Sequence, residues 1–104
     1  MGGYAERGMS APPEVVFNTA TDPDRADAWL PEELRAGGGT PARVDGELLA
    51  RWNSTTGPAE LRVEPGNTGG SRVRLRLPAG SVDGLAEESL VNLEREVAEN
   101  LTAG

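Results

Sequence analysis

The chain contains no cysteine, histidine, lysine, isoleucine or glutamine. Without cysteine there is no disulfide framework, thiol nucleophile or zinc knuckle. Without histidine the usual general base near neutral pH is missing, and so is the commonest transition-metal ligand. Without lysine there is no Schiff-base chemistry. Catalysis by this chain would have to rest on Asp, Glu, Tyr, Ser, Thr and Arg. No apolar run approaches the ~18 residues of a membrane span. The start Met1-Gly2-Gly3-Tyr4 lacks a basic region followed by an apolar one, so a cytoplasmic protein is expected rather than a secreted one.

What is present fits one small domain over residues 1–104. Large apolar side chains number 25, enough for one core and too few for two. All ten cationic side chains are arginine, a usage that fits a GC-rich bacterial genome. Against them stand 17 acidic residues, for a formal charge of −7. Such a chain repels phosphate backbones and anionic membrane surfaces, so neither nucleic acid nor a membrane is an expected partner.

Tyr4 to Met9 reads as a short edge strand. Ser10-Ala11-Pro12-Pro13-Glu14 then starts a helix over about residues 12–20, with Ser10 or Ala11 as cap, proline in the first turn and Glu14 at the positive end of the dipole. Asp22-Pro23-Asp24-Arg25 starts a second helix that runs to Trp29 or Leu30, with Glu32 to Leu34 adding a further turn. Ala36 to Pro41 is a glycine loop. Alternating apolar residues then place strands over Val44–Asn53, around Leu61 and Val63, and around Val73, Leu75 and Leu77. The last two strands form a hairpin whose charged face sets Glu60 and Glu64 against Arg72, Arg74 and Arg76. Ala86, Leu90, Leu93, Val97 and Leu101 recur on one face of a long helix from about Asp83 to Leu101. The order of elements indicates an α+β domain.

Three segments carry a family resemblance. Ser10-Ala11-Pro12-Pro13-Glu14-Val15-Val16-Phe17 resembles the entry to the first helix of the START-related superfamily, also called SRPBCC. Asp22-Pro23-Asp24-Arg25 with Trp29-Leu30-Pro31 resembles that family's second helix, and Leu90-Val91-Asn92-Leu93-Glu94 the register of its C-terminal helix. Together they cover about a fifth of the residues, in order along the chain. The resemblance implies the helix-grip fold: a curved antiparallel β-sheet wrapped around a long C-terminal helix, with two short N-terminal helices and an apolar cavity between sheet and helix. Members include lipid and sterol carriers and polyketide cyclase/dehydrase enzymes. Typical members are longer and have more strands than the four or five placed here, which limits the cavity. An empty apolar cavity of ~300 Å³ would cost on the order of 7 kcal/mol, too much for a domain this small to leave large, dry and unfilled.

The residues that would line a cavity are Phe17, Trp29, Trp52, Leu61, Val63, Val73, Leu75, Leu77, Leu90, Leu93 and Val97. Each also fits ordinary core packing, and the two tryptophans serve equally as core filler or as stacking surfaces at a cavity mouth. Arg72, Arg74 and Arg76 read as a charge-paired sheet surface rather than an anion site. Asp22 and Asp24 have capping roles, and with Asp45 they offer too few converging oxygens for a metal. Neither glycine-rich loop is followed by Lys-Ser or a helix start, so neither cradles phosphate. No catalytic residue is assigned, and no metal or cofactor is expected. The leading expectation is a small binding module for an apolar small molecule or lipid, without enzymatic activity, as monomer or homodimer. The alternatives are a polyketide cyclase-like enzyme using a carboxylate or Tyr4, and a protein that homodimerises through an open sheet edge.

Overall fold

The computed structural model describes residues 3–22, 24–30, 42–43, 48–54, 57–66, 69–78, 81 and 84–103. Five strands form one antiparallel sheet: β1 (Tyr4–Met9), β2 (Ala42–Arg43), β3 (Leu49–Ser54), β4 (Gly57–Pro65) and β5 (Ser71–Arg76). Their spatial order is β1-β5-β4-β3-β2. Three helical segments accompany them: α1 (Pro13–Thr21), α2 (Ala26–Trp29) and α3 (Leu85–Ala103).

The period-2 pattern settles the sheet's two faces. Ala5, Leu75, Leu61 and Ala50 lie side by side across four strands, and Val73 sits opposite Val63. All of them are buried. Their neighbours along the strands, Tyr4, Arg76, Glu60 and Arg51, form a row on the opposite face, as do Glu6, Arg74 and Arg62. The helices cover the apolar face. Val16, Phe17 and Ala20 of α1 and Leu90, Leu93 and Val97 of α3 join the sheet residues in one buried cluster.

The architecture is α+β, but it is not the expected helix-grip arrangement. The sheet does not wrap around the C-terminal helix: α3 packs on β1 and β5 and against α1 and α2, toward one side of the sheet. The second N-terminal helix is a single turn of four residues. Asp22 binds the Asp24 N–H through Oδ1 at 2.9 Å, and its carbonyl accepts from the Arg25 N–H at 3.0 Å, so the chain is still turning at residue 25. At the other end Pro31 disfavours helical geometry at Leu30, and little length remains between. The expected extra turn over Glu32–Leu34 and the loop 36–41 lie outside the described residues, as do Asp45 and part of the expected strand over Val44–Asn53.

Two helix starts also differ. The residue flanking α1 is Pro12, without a side-chain cap, rather than Ser10 or Ala11. Proline has no N–H to satisfy, and its carbonyl accepts from the Val16 N–H at 3.2 Å. α3 begins at Leu85 rather than Asp83, which lies outside the described residues. Gly84, at φ +83°, turns the chain and lends its carbonyl to the Glu88 N–H at 3.0 Å.

Among the described residues, one ion pair joins the sheet to the helices and another joins two helical segments. Arg7 on the edge strand reaches Glu94 of α3 at 2.7 Å, and Arg25 beside α2 reaches Glu96 at 3.3 Å.

Candidate binding site

The eleven residues named from the sequence as cavity lining all lie in the buried cluster. Phe17, Trp29, Leu61, Val73, Leu75 and Leu93 are fully shielded from solvent, and Trp52 is the most exposed of the eleven at 6%. Trp29 is not at a mouth. Its indole N–H donates to the Ala20 carbonyl at 3.2 Å, and its ring meets Trp52 edge to face with centroids 6.3 Å apart. Among the described residues, the polar ones buried with this core are Thr19, Ser71 and Ser89. Thr19 and Ser89 donate to helix carbonyls one turn back, at 2.9 and 2.8 Å. Tyr4 is half exposed on the outer face, where its hydroxyl donates to Glu6 at 3.2 Å. Among the described residues, no carboxylate or phenol points into the core.

Open space lies instead at the surface, in a shallow hollow of about 490 Å³ by Gly3, Tyr4, Arg76 and Leu77 and in a second at the sheet's β3–β4 end. An open groove of about 420 Å³ is lined by Arg51, Trp52, Asn53, Pro58, Ala59, Glu60 and Arg76. Its size falls within the ~300–1,000 Å³ of small-molecule sites, and Pro58 gives it an exposed apolar surface, with Trp52, 6% exposed, at its edge. Here the turn brings Asn53 opposite Pro58 and Trp52 opposite Ala59. A smaller depression of about 90 Å³, lined by Tyr4, Glu60, Arg62, Arg74 and Arg76, adjoins it. Glu60 and Arg76 belong to both.

The charges here do not pair as the sequence suggested. Glu64 does take Arg74, at 3.1 Å. Glu60, however, binds Arg51 of β3 at 3.2 Å. Arg72 and Arg74 share Glu6 of β1, at 3.6 and 2.9 Å. Among the described residues, Arg62 and Arg76 therefore have no acidic partner, although Arg62 stands directly opposite Arg74. The groove residues Arg51, Asn53, Pro58 and Ala59, and the cation Arg62, were not singled out from the sequence. One signal was available: the outer positions of β4 and β5 carry four arginines, 62, 72, 74 and 76, and only two glutamates, 60 and 64. Asp22 and Asp24 serve the turn before α2, with Asp22 also 3.8 Å from Arg25. Among the described residues, no three acidic, histidine or cysteine side chains group as a metal site. No described helix is long and apolar enough to cross a membrane.

No protein-family model and no curated protein match this chain. Solved structures do match in fold. One is the crystal structure of TTHA0849 from Thermus thermophilus, with a TM-score of 0.67 over 96% of this chain and 99% of that one. The two sequences are 23% identical, so the likeness is one of fold.

Proposed function

We propose that this protein is a small cytoplasmic binding module of the SRPBCC kind that holds an apolar small molecule without chemical turnover, and that the molecule docks in the groove beside Trp52. The observation that carries the proposal is the groove itself: about 420 Å³ of open space beside Pro58 and bordered by Trp52 and Ala59, outside a core whose described apolar side chains are buried. Aromatic and proline surfaces give up little conformational freedom on binding, which favours a shallow site. The motif resemblance at Ser10–Phe17, Asp22–Arg25 and Leu90–Glu94 supports the class. The cyclase alternative draws no support from the core, where the buried polar groups are hydroxyls, two of them bonded to helix carbonyls and the third, Ser71, at the start of β5.

Calorimetric melting with the neutral probe 2-naphthylmethanol tests this. A ligand at ten times its Kd stabilises the native state by about 1.4 kcal/mol, which raises Tm by roughly 5–10 °C in a domain of this size. An unchanged Tm up to the solubility limit of the probe contradicts the proposal.

A further inference from the structure

We infer that the groove's ligand is an amphipathic oxyanion, an apolar body ending in a carboxylate, with its charged end on Arg62 and Arg76. The inference rests on the groove being a binding site and adds the chemistry of what it takes.

Charge on the outer sheet face is unbalanced. The outer sheet face carries Arg51, Arg62, Arg72, Arg74 and Arg76 against Glu6, Glu60 and Glu64. In a chain of net charge −7 this face is locally cationic. Every described acid on it is already engaged, Glu6 with two arginines. Arg62 and Arg76 remain, and both line the 90 Å³ depression with Arg74. Like charges set opposite one another across strands are destabilising, so Arg62 facing Arg74 leaves a place where a bound anion lowers the energy.

The depression's size suits a carboxylate and little more. It shares Arg76 and Glu60 with the 420 Å³ groove, where Pro58 is the exposed apolar residue and Trp52 and Ala59 border it from the buried face. One molecule can therefore span both, with its head among guanidinium groups and its body along the groove beside Pro58. Arginine favours such a head because its planar fork meets two carboxylate oxygens at once. Glu60 lies in the shared wall, but its charge is held by Arg51 at 3.2 Å. Tyr4 also lines the depression.

The test compares 2-naphthylacetate, ionised at pH 7, with the neutral 2-naphthylmethanol by titration calorimetry at 0.15 M salt. The quantity read is the ratio of the two dissociation constants in each variant. The wild-type chain is expected to prefer the acid by about tenfold or more, as charge-assisted hydrogen bonds do. Arg76→Gln and Arg62→Gln should each bring the ratio down at least threefold. Arg72→Gln removes an equal charge from the same strand and face, but Arg72 does not line the depression, so its ratio should stay within twofold of wild type. If the acid binds no tighter than the alcohol, or if Arg72→Gln lowers the ratio as much as Arg76→Gln, the inference is overturned while the groove stands. If neither probe binds, the groove itself is not the site, and both fall.

Discussion

Trp29 and Leu75 are among the most deeply buried side chains. Both are fully shielded, and Leu75 sits between Ala5 of β1 and Leu61 of β4. Leu75→Ala should cost ~2–5 kcal/mol, since neighbours anchored on four strands cannot collapse into the space. Urea denaturation would read this as a lower midpoint with an unchanged slope. Trp29→Phe keeps most of the ring contact with Trp52 but leaves the buried Ala20 carbonyl without its donor, a loss of about 1–3 kcal/mol. The pair between Arg7 and Glu94 behaves differently. Its side chains are 42% and 40% exposed, so a double-mutant cycle should return no more than ~1 kcal/mol, and less at high salt.

Among the elements, the junction of β1 and β5 is set by glycine. Gly70 packs so tightly that a Cβ there would run into the Met9 carbonyl oxygen, a backbone atom unable to yield. Gly70→Ala should therefore destabilise by about 2 kcal/mol or more, within the range of overpacked sites. Gly8, on the open face of β1, has nothing near its Cβ position. There alanine should be neutral or stabilising by up to ~1 kcal/mol through loss of unfolded-state freedom, and thermal melts of the two variants would separate the cases. The hairpin β4–β5 was legible because alternation of Leu61 and Val63 with charges, repeated at Val73, Leu75 and Leu77, admits one register that buries every apolar side chain. The apolar face of α3 through Ala86, Leu90, Leu93 and Val97 was legible for the same reason, at a period of 3.6. The partner of Glu60 was not, because a cross-strand pair depends on which strand lies on the other side. Arg51 could be set beside Glu60 only once the β3–β4 register was known. Nor did the motifs show that α2 would close after one turn or that α3 would lie on the β1–β5 side of the sheet, since both follow from packing between elements distant in sequence.

At the scale of the whole molecule, charge is sorted by layer. The described outer sheet positions are rich in arginine, while α3 presents Glu87, Glu88, Glu94, Glu96 and Glu99 with Arg95 alone among its cations. An anionic ligand approaching from solution is therefore drawn to the sheet face and repelled by the helix face, an attraction that weakens as salt shortens the ~8 Å screening length. The same geometry separates the two tryptophans, one lining the groove and one sealed inside. The two rings touch, but Trp52 alone of the pair borders the groove, so a groove ligand should move its indole N–H signal more than that of Trp29. The most direct measurement is a 1H–15N spectrum of those two signals during titration with 2-naphthylacetate. The account predicts a saturable shift of the Trp52 indole that exceeds any movement at Trp29. Two stationary signals, or a shift at Trp29 that equals or exceeds that at Trp52, would contradict it.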